Sequence, residues 1–160
     1  MFKFINKTLK DNGYIHYEIS NYCKKGYESK HNLVYWNNLN YYGFGIGASS
    51  YIDNIRSDNT RSYSDYIKGK YTKEKHILDI NETISNEFIL GFRKINGINI
   101  DNFNSKYNIN SLSLEVIKKL LKEKKLVIGN GNIKINEEYL YVQNSILVEF
   151  LDVDYKNIKH

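Results

Sequence analysis

The densest cluster of chemically capable side chains is His31-Asn32-Leu33-Val34-Tyr35-Trp36. An imidazole can ligate a metal or a heme iron, or carry protons near neutral pH. On a helix, His31 and Tyr35 share a face as i and i+4 neighbours. Trp36 adds a broad flat surface on which a ring ligand can rest. A lone histidine beside aromatics is more often structural, and His16, His76 and His160 stand at no metal-site spacing from it.

Other groupings have weaker chemical meaning. Gly43, Gly45 and Gly47 alternate with Phe44 and Ile46, and such glycines let a backbone approach a ligand and turn amides toward an anion. The spacing is not that of a dinucleotide fingerprint, and a tight strand end explains it equally. His16 and Glu18 point to one side of a strand and could form an acid–base pair, although a pair lining a sheet is the commoner outcome. Lys118, Lys119, Lys122, Lys124 and Lys125 form the chain's one basic cluster, opposite a leucine stripe. On a groove-binding helix they would meet DNA, yet arginine or amide side chains, the usual readers of bases, are missing among them. The sequence has no nucleophile elbow, zinc-protease motif or phosphate loop, and it suggests no catalytic residue and no protein-held metal site.

These residues need elements to hold them. Phe2, Ile5 and Leu9 recur at helical spacing and Asn12-Gly13 stops the helix, so a helix is predicted ahead of a strand over 14–20. Residues 21–70 read as irregular, with a short helix near 32–37 and a strand near 41–46. Asp79 and Glu82 have capping-box spacing. The helix they open carries Ile80, Ile84, Phe88, Gly91 and Ile95 on one face and ends at Gly97. Helices follow over 100–107 and 112–124. Leu126-Val127-Ile128, Asn130-Gly131 and Ile133-Lys134-Ile135 predict a tight hairpin. A last helix is predicted over 137–151. Three helices followed by a hairpin outline a winged helix, so the chain divides at about 75/76.

The bulk properties agree with a folded, α+β chain. Of 160 residues 41% are hydrophobic, enough to form a core and too many for a disordered tail. No apolar run reaches the ~18 residues that span a bilayer, and no secretory leader is evident. The single cysteine, Cys23, can form no internal disulfide and cannot hold an iron–sulfur cluster alone. A cytoplasmic setting is expected. The net charge of +5 permits an anionic partner without requiring one. Proline is absent and tyrosine reaches 15, a bias that an AT-rich genome explains without function.

Three stretches together resemble the end of the radical-SAM region of oxygen-independent coproporphyrinogen III oxidase-like proteins, most of all the branch regarded as heme chaperones. They are Tyr14-Ile15-His16-Tyr17-Glu18-Ile19-Ser20-Asn21-Tyr22, Gly26-Tyr27-Glu28-Ser29-Lys30-His31-Asn32-Leu33-Val34-Tyr35-Trp36, and Tyr42-Gly43-Phe44-Gly45-Ile46-Gly47-Ala48. Leu90-Gly91-Phe92-Arg93 with Gly97-Ile98 is similar to the opening of that family's C-terminal domain, and 144–151 to its last helix. Ser49 departs from the histidine many members carry there, and no proline precedes Gly26.

The resemblance implies an architecture and a role. Residues 1–75 would be the last helix and strand of an incomplete radical-SAM barrel with a trailing segment, and 76–160 a helical, winged-helix-like domain. His31, Asn32, Tyr35 and Trp36 match the family's heme-associated motif, and Glu18, Gly43, Gly45 and Gly47 would line the barrel mouth. Heme or porphyrin is the implied ligand. The [4Fe–4S] cluster and S-adenosylmethionine of the full-length family need a cysteine motif that this sequence lacks, so the chain alone would be inactive in radical chemistry. A separate radical-SAM half and a further copy of the chain are the implied protein partners. A nucleic-acid-binding winged helix and a ligand-free structural domain stand as alternatives.

Overall fold

The computed structural model describes residues 1–151 and 153–155, so the 156–160 end of the second expected region, including His160, lies outside the described residues. Helix α1 (Phe2–Asp11) stops where Asn12-Gly13 predicts, with Gly13 at φ +74°. Its stripe is not buried: α1 has no buried residue and Ile5 is exposed. It is held chiefly by Phe2, whose ring meets Tyr141 edge-on at 4.6 Å.

The stretch after α1 is extended, as expected, and folds back on itself. Strand β1 (Ile15–Glu18) pairs antiparallel with β2 (Asn21–Cys23), with an irregularity between His16 and Glu18. The end of β1 also docks on the turn that follows α4 (Ile80–Gly91). Ile19 N–H donates to Arg93 O at 3.0 Å, Ile95 N–H donates to Tyr17 O at 3.2 Å, and Glu18 bridges Lys94. Within the described residues its ladders are thus antiparallel. Helix α2 (Lys30–Trp36) starts at Ser29, whose hydroxyl accepts from Asn32 N–H.

The predicted strand near 41–46 is not formed. Tyr41 makes a single bridge to Tyr51, and the following run cannot stay extended because Gly45 and Gly47 adopt φ +98° and +69°. In place of an irregular segment, β3 (Ser49–Ile52), β4 (Ile55–Asn59) and β5 (Thr72–Ile77) build a three-stranded antiparallel sheet. Asp53-Asn54, both at positive φ, make the two-residue turn between β3 and β4. Helix α3 (Tyr63–Ile67), capped by Ser62, links β4 to β5. All six residues of β5 are exposed.

The second region is built around apolar spacing. The predicted capping box of α4 is present in both directions, Glu82 N–H to Asp79 Oδ1 at 2.9 Å and Asp79 N–H to Glu82 Oε2 at 2.8 Å. The helix ends at Gly91, not Gly97, because the backbone turns there to receive β1. Strand β6 (Ile98–Asn99), α5 (Ile100–Tyr107), a 3-10 turn at Ser111–Ser113 and α6 (Glu115–Lys122) follow. Strands β7 (Leu126–Gly129) and β8 (Asn132–Ile135) form the expected hairpin, Asn130 and Gly131 supplying φ +53° and +73°. The sheet order is β6-β8-β7.

The predicted last helix is broken into a 3-10 segment (Glu137–Val142), α7 (Gln143–Leu147) and a second 3-10 turn (Val148–Phe150). Asn136 and Ser145 bond to nearby backbone and compete with a continuous helix. The break lets Ile146, Leu147 and Phe150 all reach the core. There Phe88 packs on Phe103 and Phe150 with ring centroids 4.5 and 4.8 Å apart, above Ile84, Leu114, Ile117, Leu120, Leu126 and Ile133. This core cluster draws its buried members from residues 84–155 alone.

Candidate functional site

Helix α2 presents the cluster that sequence singles out. His31 is exposed in its first turn, while Asn32, Tyr35 and Trp36 are half-buried. The imidazole meets the Tyr35 ring edge-on at 4.9 Å and makes no hydrogen bond among the described residues. Tyr35 in turn packs against Tyr41 at 4.6 Å, and Tyr41 reaches Tyr51 of β3 at 6.3 Å. An aromatic ladder therefore runs from the histidine into the β3–β4–β5 sheet.

The far end of α2 is held by the second region. The Arg93 guanidinium lies over the Trp36 ring at 5.2 Å. Lys94 Nζ donates to Asn37 Oδ1 at 2.6 Å, and Asn38 Nδ2 donates to Glu87 Oε2 at 3.2 Å. The same carboxylate oxygen accepts from Lys106 Nζ at 2.8 Å and Tyr107 O–H at 3.0 Å. Burial pulls the Lys94 amine below the ordinary lysine range, and the Glu87 charge partly restores it. Burial, then the Glu87 charge, raises the Tyr107 phenol, so that group stays protonated. Sequence reading missed Glu87 and Lys94, which are 49 and 57 residues from their partners on the α2 terminus.

The expected mouth-lining residues fall on different elements. Glu18 ends β1 and is 1% exposed, with Oε2 accepting from Ser20 N–H at 3.4 Å and Oε1 buried with no hydrogen-bond partner among the described residues. The glycines cover the sheet instead. Gly43 N–H donates to Ser50 Oγ at 2.9 Å, Gly47 N–H donates to Thr60 O at 2.9 Å, and Asn59 Nδ2 donates to Gly45 O at 2.9 Å. A β-carbon on Gly43 would sit 2.2 Å from Ser49 O, so close backbone approach requires glycine there. These contacts hold the 43–47 loop against β3 and β4. His16 is buried, stacks on Tyr22 at 4.2 Å, and faces the Ile19 carbonyl rather than Glu18. A carbonyl only accepts, so Nε2 carries the proton. Burial, reinforced by the charge of Lys10, lowers its pKa.

Three of the five lysines in the basic cluster form ion pairs among the described residues. Lys118 pairs with Glu115, Lys119 with Glu149 and Lys125 with Glu123, each at 2.7–2.8 Å. Lys122 and Lys124 of the cluster are exposed. Among the described residues no group of three or more His, Cys, Asp and Glu could hold a metal ion, and no helix is long and apolar enough to cross a membrane.

A heme requires an axial donor and flat apolar walls. The residues around His31 fit the first part: one imidazole with no hydrogen bond among the described residues, edged by the Tyr35 ring, on an open face. Cavities of about 520 and 530 Å³ lie elsewhere, between α1 and the 137–142 segment and between β5 and the N-terminus of α4.

The chain has relatives among proteins named as heme chaperones. The chain is 35% identical over 156 residues to the heme chaperone HemW of Lactococcus lactis and 32% over 158 residues to that of Bacillus subtilis. Each match covers 94% of this chain and 41% or 42% of the relative, so the chain spans about two fifths of the length of these relatives. The HemW of Synechocystis is 48% identical over 60 residues, 38% of this chain and 15% of the relative. No family model matches the sequence. In fold the chain is similar to coproporphyrinogen III oxidase HemN from Escherichia coli, a radical SAM enzyme, with a TM-score of 0.69 at 12% identity over 93% of this chain and 39% of that one. The resemblance to oxygen-independent coproporphyrinogen III oxidase-like proteins is thereby borne out, and the matched region is consistent with their C-terminal part.

Proposed function

We propose that this chain takes part in heme handling and that its own contribution is His31, offered as an axial ligand to heme iron. The observation that carries this reading is the state of His31 in the structure: exposed, hydrogen-bonded to nothing among the described residues, and edged by Tyr35 at 4.9 Å. Tyr35 flanks the imidazole as the first ring of the aromatic ladder, and Asn32 and Trp36 of the same helix complete the proposed heme-binding set. Heme, when bound, supplies the iron. The chain supplies a nitrogen donor on a rigid helix and one aromatic flank.

The finer architecture belongs to the same proposal. Residues 76–155 are read as a winged helix, supported by the order α4, β6, α5, α6, β7, β8 with β6 paired to β8. Residues 1–75 are read as the closing part of a radical-SAM barrel, supported by the helix–strand succession of α1 and β1. The buried, unpartnered Glu18 Oε1 is read as awaiting a donor from the remainder of such a barrel, with Gly43, Gly45 and Gly47 beside its mouth. A radical-SAM half would carry the [4Fe–4S] cluster and S-adenosylmethionine, and the cytoplasm is the proposed setting. The exposed edge of β5 suits pairing with a second copy.

A heme titration followed by Soret absorbance tests the ligand. Saturable binding that disappears in His31→Ala is the expected result. Binding indifferent to that substitution, or no binding by the chain, overturns the assignment.

A further inference from the structure

Within the His31 motif, Tyr35 packs on Tyr41 and Trp36 lies under the Arg93 guanidinium, and hydrogen bonds at the helix ends add to these contacts. The helix has seven residues and no buried side chain, so neither length nor a core face fixes it. Besides those ring contacts, polar restraints lie at its two ends. At the start, Ser29 N–H donates to Tyr17 O–H oxygen at 3.3 Å, tying α2 to β1. At the end, Asn37 and Asn38 are gripped by Lys94 and Glu87 at 2.6 and 3.2 Å. Asn38 sits at φ +50°, a conformation asparagine tolerates better than most residues, and it brings both amides toward α4 and the turn that follows it.

The two grips differ in strength. Lys94 makes a short, charge-assisted bond from a half-buried amine, where loss of the acceptor would leave the cation less well satisfied. Glu87 is itself fixed by Lys106 and Tyr107 of α5, so Asn38 is bonded to a carboxylate that cannot swing. The pair therefore couples the α2 terminus to the one part of the molecule with a full apolar core.

We infer that Glu87 and Lys94 are positioning residues for His31: through Asn38 and Asn37 they hold α2 so that its imidazole keeps a fixed direction toward its ligand. This inference rests on the heme-ligand reading of His31. They touch no ligand themselves, and their effect is on ligand geometry.

The test compares heme binding by the full chain, Glu87→Gln, Lys94→Met, Asn37→Ala and His31→Ala, reading affinity, the Soret and visible bands that report axial coordination, and the thermal midpoint. Lys94→Met and Asn37→Ala are expected to weaken heme about tenfold, the scale of one lost charge-assisted hydrogen bond, and to shift the bands toward those of His31→Ala. Lys94→Arg is expected to restore most of the wild-type spectrum. Asn37→Ala leaves Lys94 and Glu87 in place and keeps the clamp informative if the variants at those two positions unfold. Wild-type affinity and bands in Asn37→Ala and Lys94→Met, with binding still lost in His31→Ala, overturn this inference alone. Binding unaffected by His31→Ala overturns the ligand reading and this inference with it.

Discussion

Residues 1–75 and 76–155 are stabilised in different ways. The second region buries a continuous cluster from Ile84 to Tyr155, with Phe88, Phe92 and Phe150 at 0–1% exposure. The first buries few apolar side chains, chiefly Cys23 and Tyr51, and buries polar ones beside them, His16, Glu18 and Thr60. It is organised by turns, caps and cross-region hydrogen bonds. Most of its rigidity is therefore borrowed, through Ile19, Ile95, Asn37 and Asn38, from the region that has a core. The candidate ligand sits on the borrowing side, where an exposed histidine disturbs no packing.

The contrast can be broken most severely at Phe88. Phe88→Ala removes a ring packed on Phe92, Phe103 and Phe150 and is expected to cost about 3–5 kcal/mol in urea unfolding. Both regions should lose structure together if the first depends on the second. Next in size, Asp79→Ala removes the capping-box acceptor of α4 and should cost about 1 kcal/mol by the same measurement. A substitution in β5, such as Lys75→Ala, lies on a strand exposed along its length and is expected to change stability by less than about 0.5 kcal/mol.

A pH series sharpens the comparison from the other side. His16 has its pKa lowered in the fold by burial, so the folded state binds a proton less readily than the unfolded chain. Its contribution is fully present above the ordinary histidine value of about 6.5 and is lost as pH falls through the lower folded value. The thermal midpoint should decline on acidification below pH ~6.5, and His16→Phe should flatten that part of the curve. An unchanged slope in the variant would assign the acid sensitivity to other groups.

The same division decides what the sequence reveals. In the second region apolar spacing and local chemistry agree, so the Asp79–Glu82 box and the Asn130-Gly131 hairpin are readable in advance. Across the 75/76 division β5 reads Thr-Lys-Glu-Lys-His-Ile, with no alternation to mark a strand exposed on both faces. The turn that joins β3 to β4 is Asp53-Asn54, a weaker signal than Asn-Gly, though both residues adopt positive φ. The glycines at 43–47 looked like a strand and serve as a loop covering one. The break in the last helix follows from side chains competing for backbone at Asn136 and Ser145, which a leucine and isoleucine stripe conceals. The His31 cluster is legible from residue type and spacing. Its anchors are not, because Glu87 and Lys94 come from positions whose local pattern says only that they are the polar side of α4 and the turn beyond it.

The central claim is that the His31 imidazole itself meets the iron. The most direct test is chemical rescue: load His31→Gly with heme and titrate free imidazole. The account predicts that His31→Gly shows altered Soret and visible bands, and that imidazole restores those of the unsubstituted chain saturably. If His31→Gly already has the unsubstituted spectrum, or if imidazole leaves its altered spectrum unchanged, His31 is not the ligand.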